Sequence, residues 1–293
     1  MLADLLKANG HELALNLLDV GAVPLDSEPE PYQRLLATFP SSRLDAFELD
    51  AALCEKLNRE AAPNVRYHCC ALGRTEEKRT LYNTRHPMCT SLYPPDERLA
   101  DLYGNLDMVR LESTSAIDTV SLDRFAREEA LSPPDFVKID VQGAELEILQ
   151  GGASCLSNVL LVVCEVEFIP IYRGQPLYGD VAAWLGARGL LLNKFLGMAG
   201  RVLKPFALHG STGYPAQFMW TDAVFVRDLT AADSLTAIQL LKLAVLLDTY
   251  ESCDAAHHLL RCYDRREDDD MADIYLAELK KAGVWTVAQQ GKD

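Results

Sequence analysis

The stretch from Phe136 to Gly152, Phe-Val-Lys-Ile-Asp-Val-Gln-Gly-Ala-Glu-Leu-Glu-Ile-Leu-Gln-Gly-Gly, constrains the fold more than any other part of the chain. Phe136, Val137, Ile139 and Val141 form a short apolar run of strand type. From Ala144 the apolar positions Leu146, Ile148 and Leu149 take helical spacing, and Gly151-Gly152 stops the helix. Asp140 is therefore expected at the carboxyl end of a strand and Glu145 in the first turn of a helix. In an open α/β sheet that junction borders the crevice where ligands bind.

The same alternation runs through most of the sequence. Residues 13–20 read as a first strand, 28–38 as a helix entered through prolines, 44–48 as a second strand, 51–60 as a helix, and 65–72 as a third strand ending at Gly73. Residues 75–121 then interrupt the pattern. They are rich in Arg, Pro, Tyr and Ser, with short β ribbons expected at 78–82 and 109–114, and insertions of this length usually act as lids or specificity loops. A helix restarts at Val120, Pro133-Pro134 leads into the strand ending at Asp140, and strands at 160–165, 190–195 and 218–226 flank a helix at 180–189. From Thr230 the texture is Leu- and Ala-rich at helical spacing, as in Leu235, Ile238, Leu241 and Val245.

The expected fold is α/β, a mostly parallel sheet covered by helices on both faces. Residues 1–229 form the expected domain, carrying the 75–121 insertion, and 230–293 a helical C-terminal extension. The apolar stripes of that extension are expected either to fold back on the domain or to form a homodimer.

With 43 acidic and 28 basic residues the chain carries a formal charge of -15, and no Lys/Arg cluster marks a phosphate-tracking face. This argues against DNA, RNA and anionic membrane surfaces as partners. Apolar runs such as 159–164 are far shorter than the roughly 18 residues of a bilayer span, and the first ten residues lack the pattern of a secretory signal. A soluble, cytoplasmic protein is the expectation. The eight cysteines show no CxxC pair and no histidines at zinc-finger spacing, which argues against a disulfide framework or structural zinc. Cys70, near a strand end, is the one expected to line a pocket.

Asp19-Val-Gly21-Ala22 follows the first strand, where glycine lets the backbone approach a ligand, although the chain has no GxGxxG. Glu48, followed by Leu49 at the end of the second strand, is placed to accept hydrogen bonds from both ribose hydroxyls of a nucleoside, while Asp50 suits a helix N-cap. Glu165 and Glu167 project from one face of a continuing strand. With Asp140 they would suit a Mg²⁺ ion, but the arrangement without metal is preferred, with carboxylates paired or binding substrate hydroxyls. Ser91 and the aromatics of the insertion, together with Tyr172 and Gln175, are candidate acceptor contacts. His86 and His209 read as surface loop residues, with delivery of a base as the alternative.

These segments together resemble the FkbM-type S-adenosylmethionine-dependent methyltransferases. The resemblance rests on D-x-G-A at Asp19, F-E at Phe47-Glu48, Ala71-Leu72-Gly73, Ser121-Leu-Asp123, Val137-Lys-Ile-Asp-Val-Gln-Gly-Ala-Glu145 and Cys164-Glu-Val-Glu167, over roughly residues 13–226. It implies a class I methyltransferase fold, a mixed seven-stranded Rossmann-like sheet with an antiparallel last hairpin. It also implies methyl transfer from S-adenosylmethionine to a hydroxyl of a sugar, glycan or secondary metabolite. In that reading Asp19, Gly21 and Ala22 border the methionine part of the cofactor, Glu48 with Leu49 holds the ribose edge, and Ala71 and Leu72 flank the adenine. Asp140 faces both methyl donor and acceptor, with Glu145 and Glu165 as further catalytic carboxylates and Glu167 toward the substrate. Val23-Pro24-Leu25 departs from the N-x-G common after the first G-A. N-methyl transfer and a non-catalytic binding or assembly module remain the alternatives.

Overall fold

The computed structural model describes residues 1–22 and 30–284. The Val23-Pro24-Leu25 departure and the start of the helix expected from Glu28 lie outside them. The described residues divide into two compact units, one made of 16–22 and 43–227 and the other of 1–15, 30–42 and 228–284.

The strands, in chain order, are β1 (Asn16–Val20), β2 (Arg43–Glu48), β3 (Val65–Cys69), β4 (Ala71–Gly73), β5 (Glu77–Thr84), β6 (Leu111–Ser121), β7 (Phe136–Ile139), β8 (Leu161–Glu167), β9 (Leu190–Arg201) and β10 (Gln217–Arg227). The helices are α1 (Leu2–Ala8), α2 (Gln33–Thr38), α3 (Ala51–Glu60), α4 (Glu97–Leu102), α5 (Leu122–Glu128), α6 (Glu145–Gly151), α7 (Tyr178–Gly186), α8 (Ala237–Thr249), α9 (Cys253–Glu267) and α10 (Met271–Lys281).

Seven strands form one sheet in the order β3-β2-β1-β7-β8-β10-β9. From β3 to β8 neighbours run parallel, while β10 is antiparallel to both β8 and β9. The expected mixed class I sheet with an antiparallel hairpin is thus the fold observed. Its central strands are buried on both faces, with Val137, Ile139, Val162, Cys164 and Phe225 each 1% exposed or less, which is why they read as continuous apolar runs. Strand order reverses between β1 and β7, whose ends are in register at Val20 and Ile139. The crevice of such a sheet opens at that reversal.

The third strand does not run to Gly73 as expected. Its partner β2 ends at Glu48, whose carbonyl accepts the last bond from Cys70 N at 3.1 Å. With no further neighbour on that edge, the chain leaves the main sheet, and Ala71–Gly73 pairs with Thr119–Ser121 in a three-stranded sheet of order β4-β6-β5. The expected short ribbons of the insertion are therefore a long antiparallel pair, and Val120 and Ser121 close β6, so the helix expected from Val120 starts at Leu122. A second apolar core of Cys89, Tyr103, Ile171, Tyr172 and Met219 packs the insertion against the segment after β8 and the start of β10, at the ligand end of the sheet.

In the other unit α8 is the buried element, with Leu240, Leu243, Val245, Leu246 and Leu247 all at 0% exposure. Thr236 and Gln239 form a capping box at its start. Asp248 near its end accepts from Leu2 N at 2.8 Å and from the Tyr275 hydroxyl at 2.5 Å, tying α1 and α10 to α8. Among the described residues no helix is long and apolar enough to cross a membrane.

Candidate active site

After β7 the chain turns through Gln142 (φ 59) and Gly143 (φ 103) before α6 begins. Left-handed backbone disfavours a residue with a Cβ by roughly 1 kcal/mol or more, so Gln142 needs support from its surroundings. Ser91 Oγ donates to the Gln142 carbonyl at 2.6 Å, and Glu145 Oε1 accepts from Val141 N and Gly143 N, both at 3.0 Å. At Gly143 an added Cβ would lie 3.2 Å from Gln175 Nε2 and 3.4 Å from Tyr172 Cδ2, so glycine lets those side chains close over the turn.

The turn carries the Gln142 side chain across the strand ends. Its Nε2 donates to Asp140 Oδ1 at 3.0 Å and to Glu165 Oε2 at 2.5 Å. The hydroxyl of fully buried Tyr172 lies 2.9 Å from both Gln142 Oε1 and the Cys89 carbonyl. One amide thus links the carboxyls of β7 and β8 and is itself held from the far side. Glu165 and Glu167 do share a face, the latter buried at 2% exposure and approached by the Gln175 amide, whose other end accepts from Tyr172 N at 2.6 Å.

Four acids packed together at one end of a sheet cannot all be ionised without large mutual cost. Burial, with Asp140 and Glu167 nearby, pushes the Glu165 carboxyl well above its usual range, and burial with Glu145 does the same for Glu167. Glu145 is pushed up to about 7 by burial, against the pull of three backbone N–H groups. Asp140 keeps 31% of its side chain exposed, with Lys138 Nζ 4.0 Å away. Unlike Glu145 and Glu167, at 3% and 2% exposure, it is open to an incoming molecule.

The expected cofactor edge falls at the ends of β1 and β2. Gly21 has φ 86, and a Cβ there would lie 1.9 Å from the Asp140 carbonyl oxygen, so only glycine brings this turn against the end of β7. Gly21 N and Ala22 N both donate to the Phe47 carbonyl at 3.1 Å, and Asp19 is buried at 3% exposure beneath them. Glu48 uses Oε1 to accept from Leu49 N at 2.7 Å and Asp50 N at 3.0 Å, and among the described residues Oε2 accepts no bond. A carboxylate fixed by one oxygen with the other open, beside a Leu49 that is 41% exposed, suits a ribose with an apolar base beside it. Asp50 caps α3 as expected, accepting from Ala52 N and Leu53 N. Ala71 and Leu72 are 7% and 4% exposed, and Leu72 turns into the main core. Cys70 lines an open cavity of about 660 Å³ with Cys69, Thr119, Val120 and Phe125. None of the four carboxylates lines it.

Three features had no sequence reading. Gln142 lay inside the quoted motif without a role, and a polar residue ahead of Gly143 between two candidate acids was the available signal. Arg79 Nη1 donates to Glu147 Oε2 at 2.8 Å, and the Tyr93 hydroxyl bonds its other oxygen, so the insertion is pinned to α6. Arg201 over Trp220 is the third. His86 and His209 are exposed. Among the described residues no group of three or more His, Cys, Asp or Glu side chains is arranged to hold a metal ion. Between Asp140 and Glu165 sits the Gln142 amide.

Residues 18–192 match the profile of the methyltransferase FkbM domain. The chain belongs to the FkbM methyltransferase domain family. The 2-O-methyltransferase NoeI of Sinorhizobium fredii is 24% identical over 169 residues, covering 54% of this chain and 66% of that protein. The hexuronic acid methyltransferase AglP of Haloferax volcanii is 36% identical over 59 residues, covering 20% and 25%. The match thus spans just under two thirds of the first relative and a quarter of the second. Among solved structures, magnesium protoporphyrin IX methyltransferase (ChlM) from Synechocystis is 11% identical over 77% of this chain and 76% of its own, with a TM-score of 0.35.

Proposed function

We propose that this FkbM-family chain is an S-adenosylmethionine-dependent O-methyltransferase whose acceptor is a sugar or glycan hydroxyl. The observation that carries the reading is the Asp140–Gln142–Glu165 linkage at the strand reversal. It sets a partly exposed carboxyl beside a proton-holding one, next to a turn and a ribose-type carboxylate that fit the cofactor. The likeness to NoeI, a 2-O-methyltransferase, and to AglP, a hexuronic acid methyltransferase, supports oxygen over nitrogen as the acceptor atom. The transfer chemistry resides within residues 1–229, in the sheet-bearing unit made of 16–22 and 43–227.

Bound S-adenosylmethionine supplies a methyl group activated by its sulfonium charge. Glu48 Oε2 would accept from the ribose, Leu49 would face the base, and the Asp19–Ala22 turn would border the methionine part. Asp140 would accept the proton of the acceptor hydroxyl as that oxygen takes the methyl group and the methyl–sulfur bond breaks, and general-base help of this kind typically contributes 10²–10⁴-fold. Gln142 and the proton-bearing Glu165 fix the Asp140 rotamer, while Tyr172 and Ser91 fix Gln142. Positioning of the hydroxyl supplies much of the remaining rate. Glu145 acts through the turn it ties together.

Methyl transfer to a panel of sugar hydroxyl acceptors tests this. Asp140→Asn should lower kcat by about 10²-fold or more with cofactor affinity retained. Wild-type turnover in the Asn variant would remove Asp140 from the chemistry.

A further inference from the structure

The hairpin of β9 and β10 reaches past the rest of the sheet at its ligand end. The last β8 pair is Glu167 with Trp220, yet β10 begins at Gln217, which pairs with Arg201 at the end of β9. Residues directly opposite in an antiparallel pair point to the same face, so Trp220 shares a face with Glu167, and Asp222 with Glu165. The Arg201 guanidinium lies over the Trp220 ring, 4.6 Å from its centroid. It is thereby held at the ligand end, on the face carrying the β8 carboxyls. Cys89 lies within electrostatic reach of both Asp140 and Arg201: burial and then Asp140 push its thiol up to about 11, and Arg201 pulls it back.

The bonding of Arg201 is incomplete. Its Nε donates to the Asn105 carbonyl at 3.0 Å and Nη1 to the Gly200 carbonyl at 2.7 Å. Among the described residues Nη2 has no acceptor and the group has no carboxylate partner. Arg227 is the useful contrast. It too is half-buried without a carboxylate, but Nε, Nη1 and Nη2 donate to the Val159, Arg188 and Ser157 carbonyls, as a purely structural arginine should. In a chain of net charge -15, a half-buried guanidinium with both Nη2 N–H groups and one on Nη1 open, and no counter-charge, is an anion receptor in waiting.

We propose that Arg201 is a carboxylate receptor in the acceptor site, so that the sugar receiving the methyl group carries an acidic substituent, as a uronic acid does. The inference rests on the methyl-acceptor reading above. The single positive charge of Arg201 balances a singly charged carboxylate and would leave a doubly charged phosphate half-neutralised. Trp220 fixes the guanidinium plane, so the charge is presented without a large loss of side-chain freedom.

Methyl glucuronide and methyl glucoside share a ring and differ in whether a carboxylate or a hydroxymethyl group is attached. Their affinities for the full chain, titrated in the presence of S-adenosylhomocysteine, test the proposal. The glucuronide is expected to bind about 10- to 100-fold tighter. Arg201→Gln should erase the difference, and Arg201→Lys, which keeps the charge, should retain part of it, with wild-type thermal melting as the check on folding. Equal affinities for wild type, or a preference that survives Arg201→Gln, overturn the proposal. Glucuronide preference without S-adenosylhomocysteine binding would support the Arg201 site and overturn the transfer reaction. Methyl transfer to neutral sugars without glucuronide preference would do the reverse.

Discussion

Glu145→Gln gives a test whose size can be worked from the structure. Glu145 is 3% exposed, and burial lifts its carboxyl from an ordinary 4.5 to about 7. Between those values the folded state binds more protons than the unfolded state, so stability from this group is full below pH 4.5 and is lost as pH rises through 7. At about 1.4 kcal/mol per pKa unit the loss totals about 3 kcal/mol, of which about 2.5 kcal/mol falls between pH 5 and 8. Glutamine keeps an oxygen to accept from Val141 N and Gly143 N, but has no charge to bury. Thermal unfolding of both proteins at pH 5, 6, 7 and 8 should therefore diverge, the variant gaining about 5–10 °C over wild type across that range. Melting curves that stay parallel from pH 5 to 8 would refute the claim that Glu145 holds a proton in a buried acid cluster.

Gly21→Ala should destabilise the fold by about 3 kcal/mol or more, because its Cβ meets the Asp140 carbonyl at 1.9 Å in a left-handed backbone; denaturant unfolding measures it. Arg79→Ala leaves Glu147, whose side chain is 8% exposed, with only the Tyr93 hydroxyl among its present partners, and should cost about 2 kcal/mol in the same assay. Gln142→Ala should lower kcat by about 10- to 100-fold while leaving cofactor affinity at its wild-type value. A loss confined to KM would instead make Gln142 an acceptor contact.

Much of this architecture was legible because burial on both faces leaves mainly apolar runs, as in β7 and the first four residues of β8. The small sheet was not. β6 is mostly exposed on both faces, so it carries no apolar periodicity, and the transfer of Ala71–Gly73 to it depends on where β2 runs out. At the site, acids at strand ends could be placed from spacing alone, which is how Asp140 and Glu165 were found. Which of them bonds to what could not, since the Gln142 amide reaches both only through a left-handed turn held by Ser91 from a segment 51 residues away. Glu145 shows the same limit: its place in the first turn of α6 was readable, but not that its carboxylate turns back to tie 141 and 143. Arg201 has no local signal, because its meaning comes from the overhang of the β9–β10 hairpin and from bonds it lacks.

The most direct test of the account is a calorimetric titration of S-adenosylmethionine into the full chain and its Glu48→Ala variant. Wild type should show saturable one-site binding, weakened about 10- to 100-fold by loss of the ribose-facing carboxylate. A well-folded wild-type chain that gives no binding heat at millimolar cofactor would contradict it.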